Sequence, residues 1–96
     1  MKDTFIKFKQ VIGGTEEEAL EKFPWLKDAE FSDAVVDISN NYLVWKDGTW
    51  EGGVWEGGVW EYGVWKDGIW KDGRMWSNSK QLYENVEFRD GYFIVI

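Results

Sequence analysis

A five-residue unit recurs without interruption through the middle of the chain and constrains its fold more than any other feature. Tryptophan occupies every fifth position, glycine follows each tryptophan by three places, a β-branched residue precedes it and Lys or Glu follows it. The repeat residues are Trp45, Trp50, Trp55, Trp60, Trp65 and Trp70, with Gly48, Gly53, Gly58, Gly63, Gly68 and Gly73. Self-similarity at a short fixed period is typical of stacked repeat architectures.

The repeat unit predicts a short extended piece followed by a tight turn. Five residues are not a helical period, and each glycine inside a helix would cost about 1 kcal/mol relative to alanine. In a meander, three-residue strands would alternate with two-residue glycine turns, and all the tryptophans would share one face. In a solenoid, each unit would form one side of a coil, with Trp and the Gly two places before it pointing inward. We favour the solenoid-like roll, because a flat sheet exposes its tryptophan row unless the N-terminal helix covers it.

The repeat resembles the pentapeptide-repeat family, right-handed square β-solenoids with about four five-residue sides per coil. That family places a large apolar residue at the centre of each side and a small residue two places earlier, as in Gly53-Val54-Trp55 and Gly68-Ile69-Trp70. Replacing Leu by Trp and Ala by Gly roughly conserves the volume of a close-packed interior. The outward β-branched residue and the turn glycine are unlike the family. The repeat is also similar to Trp-x-x-Gly arrays in small bacteriophage and bacterial proteins.

The resemblance covers residues 44–76, which leaves the two ends to act as caps. We expect one domain over residues 1–96, made of an N-terminal cap (1–43), the repeat (44–76) and a C-terminal hairpin cap (77–96). The expected fold is therefore mainly β: a short five-residue-repeat β-solenoid-like roll, or a short-strand meander, capped by flanking strands, with one short N-terminal α-helix.

Local signals place the elements of the caps. Alternating apolar residues predict a strand over residues 4–12, and a capping box of Thr15 and Glu18 predicts a helix over residues 16–23 that Pro24 ends. Apolar runs predict a strand at about residues 33–38 and a second one leading into the repeat. Asp90-Gly91 between apolar runs predicts a C-terminal hairpin.

The charge of the chain is concentrated near its N-terminus. Residues 16–37 hold eight acidic residues against Lys22 and Lys27, which is −6 of a total of −7. Solvated acids on a solubilising face are one interpretation, and a docking surface for a basic partner is the other. The candidate partner-binding residues are Glu16, Glu17, Glu21, Asp28, Glu30 and Asp33.

Several classes of function are disfavoured by composition. The chain has no Cys and no His, and Glu51, Glu56 and Glu61 share a repeat position with Lys46, Lys66 and Lys71, as solvent positions do. We therefore expect no enzyme activity, no catalytic residues, no cofactor and no metal. Net negative charge argues against direct binding of nucleic acid. The sequence lacks a run of about 18 apolar residues, so we expect no membrane contact and a cytoplasmic location, in the host if the protein is phage-encoded.

A non-enzymatic protein-binding module is the function that these features favour. The resemblance implies nucleic-acid mimicry, because some pentapeptide-repeat proteins are acidic rods that occupy DNA-binding enzymes. We therefore expect a small inhibitor of the phage or mobile-element type, which contacts a protein of a nucleic-acid-handling host system. One alternative is a structural module that forms a homo-oligomer through the C-terminal strand Tyr92 to Ile96. A third is carbohydrate binding through the tryptophans.

Overall fold

The computed structural model describes residues 7–96, and in that range the fold is mainly β with one α-helix. The α-helix, α1, is Glu16–Lys22, and a 3-10 helix follows at Pro24–Asp28. The strands are β1 Gln10–Ile12, β2 Glu30–Asp37, β3 Val44–Gly52, β4 Val54–Trp55, β5 Val59–Trp60, β6 Val64–Trp65, β7 Ile69–Trp70, β8 Arg74–Ser77, β9 Leu82–Arg89 and β10 Tyr92–Val95.

The N-terminal cap follows its local signals closely. Thr15 Oγ1 accepts a hydrogen bond from Glu18 N at 3.1 Å, and Glu18 Oε1 accepts one from Thr15 N at 2.8 Å, which confirms the capping box. Helix α1 ends at Lys22, one residue earlier than predicted, and Pro24 begins the 3-10 helix. The strand predicted over residues 4–12 is present only at Gln10–Ile12, and its residues 4–6 lie outside the described residues.

Strands β2 and β3 join the N-terminal cap to the repeat. They pair antiparallel, with Phe31 opposite Trp50 and Val36 opposite Trp45. Strand β2 is longer than predicted, and β3, which was predicted as a strand leading into the repeat, runs through the first two repeat units. A break in register between Ser32 and Val35 lets β2 bend, and Asp33 adopts a φ of 55° there.

The repeat pairs with itself at an interval of three units. Val44 pairs in parallel with Val59, fifteen residues on, and Thr49 pairs with Val64 at the same spacing. Strands β4 and β7 pair in parallel at the same spacing, and so do β5 and β8. We call residues 44–58 and 59–73 the first and second circuits. This register differs from the four sides per coil that the family resemblance implies.

The tryptophans of each circuit meet as a triad. In the first circuit, the rings of Trp45, Trp50 and Trp55 contact one another edge to face, with centroids 5.6–6.1 Å apart. The second triad repeats this arrangement with centroids 5.6–6.5 Å apart, and its members are Trp60, Trp65 and Trp70. Within each triad every indole packs against the other two, which gives a physical reason for a pairing interval of three units.

The two triads stack ring upon ring. The ring of each tryptophan in the first triad lies nearly parallel to the ring of the tryptophan fifteen residues later, with interplanar angles of 2–9° and centroids 5.1–5.6 Å apart. Five of the six rings are buried, and that of Trp65 is partly buried. The tryptophan row is therefore the core of the protein, and these five rings present no open platform to a ligand.

Aromatic residues of the caps close both ends of this core. At the first triad, the ring of Phe31 stacks on Trp50, and the ring of Trp25 lies edge to face against Trp55. At the second triad, Phe93 lies edge to face against Trp65 and Trp70. Phe93 comes from the β9–β10 hairpin, which turns at Asp90-Gly91 as predicted.

The repeat glycines make the corners between the units. Each of the six has a φ between 105° and 133°, which confirms the tight-turn prediction. At Gly68, a Cβ atom would also lie 2.5 Å from Gly53 O and 3.0 Å from Trp50 Nε1. Asp67 Oδ1 accepts a hydrogen bond from Gly68 N at 2.8 Å, and the same bond recurs at Asp47 and Asp72. Turn chemistry therefore accounts for these aspartates.

Charges outside the core follow the same three-unit register. Lys46 lies beside Glu61, fifteen residues on, with Nζ 3.4 Å from Oε1. The register also sets Glu51 beside Lys66 and Glu56 beside Lys71. Intervals of one, two or four units would each bring at least one pair of like charges together. The charge order therefore favours the observed pairing over its alternatives.

Candidate functional site

The candidate partner-binding acids lie on the N-terminal cap, and one of them has a structural role. Glu16 Oε1 accepts hydrogen bonds from Lys7 N at 2.7 Å and from Phe8 N at 2.8 Å. The chain segment ahead of β1 is thereby attached to the first turn of α1, and Phe8 is buried against Phe31. Glu16 therefore stabilises the cap and is poorly placed to meet a partner.

The other five candidate acids are exposed. Glu17 and Glu21 lie one turn apart on α1, and the remaining three are on the 3-10 helix and β2: Asp28, Glu30 and Asp33. Within residues 7–96, none of the five forms a salt bridge. These carboxylates give the cap a negative surface that is available to a cation.

A second surface lies on the outside of the largest sheet and was not predicted from the sequence. The register of five strands places Asp37, Val44, Val59, Arg74 and Asn85 in one row across β2, β3, β5, β8 and β9. A cleft of about 540 Å³ lies over this row. Its walls include Tyr42, Tyr83, Asp72 and the Lys46–Glu61 pair. We call this the tyrosine cleft.

Several groups of the tyrosine cleft are held in place before any ligand arrives. Tyr83 donates a hydrogen bond from its hydroxyl to Glu61 Oε2 at 2.8 Å, and its ring lies 4.9 Å from that of Trp76 in an edge-to-face contact. Glu61 is fixed from its other side by Lys46. Across the row, Asp37 Oδ1 accepts a hydrogen bond from Ser39 N at 2.8 Å.

These hydrogen bonds also set the protonation of the cleft. Hydrogen bonding to Glu61, with smaller contributions from burial and from the charge of Glu61, raises the pKa of Tyr83 above its usual range. Hydrogen bonds from Ser39 lower the pKa of Asp37 below its usual range. At neutral pH the cleft therefore combines a protonated phenol with an ionised carboxylate.

The signal for this cleft in the sequence is the set of aromatic residues outside the tryptophan frame. Tyr62 stands at the turn position that the other units fill with Asp or Gly, and Trp76 is one residue out of register. Both line a smaller cleft that shares Glu61 and Tyr83 with the tyrosine cleft. Tyr42 and Tyr83 come from either side of the repeat, so only the folded chain brings them together.

A third surface is the edge strand β10. It pairs with β9 on one side and ends the eight-stranded sheet. Phe93 packs on the core, whereas the apolar side chains of Tyr92, Ile94, Val95 and Ile96 are exposed. An apolar edge of this kind offers unpaired backbone groups to another strand.

No group of three or more Asp, Glu, His or Cys side chains in residues 7–96 is arranged to hold a metal ion. In that same part of the chain, no helix has the length and apolarity needed to span a membrane.

No protein-family model, curated protein or solved structure matches the chain.

Proposed function

We propose that this protein is a non-enzymatic protein-binding module built on a three-sided, solenoid-like β roll. The fifteen-residue register of Val44 with Val59 and the stacking of Trp50 on Trp65 support the roll. The caps at both ends shield the aromatic core from water, so a chain of 96 residues can hold its outer surfaces in fixed positions.

The observation that carries the binding proposal is the set of exposed carboxylates on the N-terminal cap. Glu17, Glu21 and Asp28 lie on helices that are anchored to the core through buried Ala19 and Leu26. A rigid negative surface that has no ion pairs of its own among the described residues raises the association rate with a positive surface. The proposed partner is another protein with a basic surface.

The more specific form of this proposal is an inhibitor of the phage or mobile-element type. Proteins that handle nucleic acid present clusters of Lys and Arg to the phosphate backbone. A small acidic protein that occupies such a cluster competes with nucleic acid without binding it. The net charge of −7 supports this form of the proposal.

Capture of partners from a bacterial lysate tests the proposal. The tagged protein is compared with a variant that carries Glu17→Gln, Glu21→Gln and Asp28→Asn. A matched control removes the same amount of charge outside the cap without creating like-charge neighbours, with Glu51→Gln, Glu56→Gln and Asp90→Asn. We expect a captured protein that the control retains and the cap variant loses.

Salt dependence gives a second measure in the same experiment. Capture should fail as the Debye length falls from about 10 Å at 0.1 M salt to about 3 Å at 1 M. Equal capture by both variants, or capture that persists at high salt, would contradict a partner held by the acidic cap. Absence of any captured protein would contradict the inhibitor form.

A structural, self-associating module is the second candidate, and the exposed edge of β10 favours it. Tyr92 and Ile96 are 74% and 70% exposed, which is unusual for apolar side chains at the end of a sheet. Self-association through this edge predicts a dimer in sedimentation that is insensitive to salt. Ile94→Lys should dissociate the dimer, whereas Ile69→Lys, at an exposed apolar position of the repeat, should not. A monomer at low and high salt would exclude this candidate.

A further inference from the structure

We infer that the tyrosine cleft is a binding site for a neutral saccharide of one or two sugar rings. This inference does not depend on the acidic cap, because Glu17, Glu21 and Asp28 are not among the residues that line the cleft. It also differs from sugar binding through the repeat tryptophans, whose rings fill the core.

The size and shape of the cleft suit a small ligand. Its volume of about 540 Å³ lies within the range of about 300–1,000 Å³ that is usual for small-molecule sites. Its floor is the flat row of Val44 and Val59 on adjacent parallel strands. Tyr42 and Tyr83, which are 48% and 40% exposed, add aromatic surface. The electron-rich faces of aromatic rings attract the weakly positive C–H groups of a sugar ring.

The charges of the cleft favour a neutral ligand. Asp37, Glu61 and Asp72 contribute three negative charges, and Lys46 and Arg74 contribute two positive charges, so three minus two leaves a net charge of −1. Glu61 is already paired with Lys46. A nucleotide or another anion would be repelled by the carboxylates of Asp37 and Asp72, and a cation would be repelled by the guanidinium of Arg74.

The polar groups match hydroxyls that both donate and accept hydrogen bonds. Asp37 and Asp72 accept, Arg74 donates, and the side chain of Asn85 can do both. Tyr83 and Glu61 are fixed by the hydrogen bond between them, and Asp37 is fixed by Ser39. Because these groups are ordered beforehand, binding loses less conformational entropy.

The test is a titration of ¹⁵N-labelled protein with maltose, cellobiose and N,N′-diacetylchitobiose, each followed by amide chemical shifts. We expect at least one saccharide to give saturable shifts at Gly58, Gly73 and Asn85, with a dissociation constant of about 1–10 mM. Tyr83→Ala and Tyr42→Ala should each weaken binding about tenfold or more, a loss of about 1.4 kcal/mol. Tyr92→Ala removes an exposed tyrosine outside the cleft and should bind as the unmodified protein does.

Two variants from different parts of the chain keep the test decisive. If Tyr83→Ala unfolds the protein, Tyr42→Ala still removes one aromatic group of the cleft from the loop that precedes β3. The inference is overturned if none of the three saccharides gives saturable shifts at about 100 mM, well above the expected dissociation constant. It is also overturned if the shifts map to another surface, or if both tyrosine variants bind normally. Saturable shifts with N-acetyl-arginine amide, but with none of the sugars, would overturn the inference and indicate that the cleft binds a basic peptide.

Discussion

Trp50 and Trp65 lie face to face, with ring centroids 5.6 Å apart and an interplanar angle of 2°. They are fifteen residues apart, and their backbones pair in the same register. This one relationship joins the period of the sequence to the structure, because it pairs positions that are three five-residue units apart. The triads, the corner glycines and the charge pairs share that interval.

Replacement of a central tryptophan should remove much of the stability. Trp55 is fully buried, stacks on Trp70 and meets four other tryptophans edge to face: Trp25, Trp45, Trp50 and Trp60. Trp55→Ala should lower the free energy of unfolding by about 3–5 kcal/mol, measured by urea denaturation.

Trp76→Ala is the control, since Trp76 is half-buried and packs only on Tyr83 among the aromatic residues of the described chain. Its cost should be clearly smaller. Equal costs for the two variants would mean that the triad does not form the core. The buried rings should also give the unmodified protein a blue-shifted fluorescence maximum.

Alanine at a corner glycine should be strained, and a neighbouring glycine provides the comparison. Gly68 has a φ of 126°, and a Cβ there would lie 2.5 Å from Gly53 O. Gly57 has no such φ, and a Cβ there would have no neighbour within 4 Å.

Gly68→Ala should therefore cost about 1–3 kcal/mol, whereas Gly57→Ala should change stability by less than about 0.5 kcal/mol. Thermal and urea unfolding measure both. A neutral result at Gly68 would contradict the corner geometry.

The helix and the C-terminal hairpin could be predicted because their signals are local. Thr15 and Glu18 lie within one turn of each other, and Asp90-Gly91 is a complete turn by itself. The burial of the tryptophans and the positive φ of Gly53, Gly58 and Gly68 likewise follow from the repeat alone.

The number of units in each circuit could not be read from the same period, since five residues per side suits three sides or four. The order of charges along the repeat contains this information. Only an interval of three units places opposite charges beside each other throughout, as it does for Lys46 and Glu61.

The tyrosine cleft is harder to predict because the residues that line it are far apart in the sequence. It requires the three-unit register, the antiparallel return of β9 and the loop before β3 at the same time. The structural role of Glu16 was missed for a similar reason, since its partners are the backbone N–H groups of Lys7 and Phe8 in a segment predicted as a strand.

Glu16 and Glu17 are adjacent acids that should behave differently. Glu16 accepts two backbone hydrogen bonds and Glu17 is exposed. Glu16→Ala should cost about 1–3 kcal/mol because a charged acceptor is lost, and Glu17→Ala should be nearly neutral.

Hydrogen exchange locates this effect. The amides of Lys7 and Phe8 should exchange faster in Glu16→Ala and at the normal rate in Glu17→Ala. Unchanged exchange in both variants would show that Glu16 does not hold the N-terminal segment.

A pair of engineered cysteines measures the number of units in a circuit, because the chain has no cysteine of its own. Val54 and Ile69 are three units apart and pair in register on neighbouring parallel strands. Thr49 and Ile69 are four units apart and would be neighbours only in a four-sided roll. Because a disulfide needs Cα atoms about 4.4–6.8 Å apart, the two variants to compare are Val54→Cys with Ile69→Cys and Thr49→Cys with Ile69→Cys.

Disulfide formation in the folded protein under mild oxidation distinguishes a three-sided roll from a four-sided one, and mass spectrometry with titration of the free thiols measures it. With three units per circuit, the variant with cysteines at positions 54 and 69 should cross-link, whereas the variant with cysteines at positions 49 and 69 should keep both thiols free. Cross-linking of the second variant, with free thiols in the first, would contradict the three-sided roll.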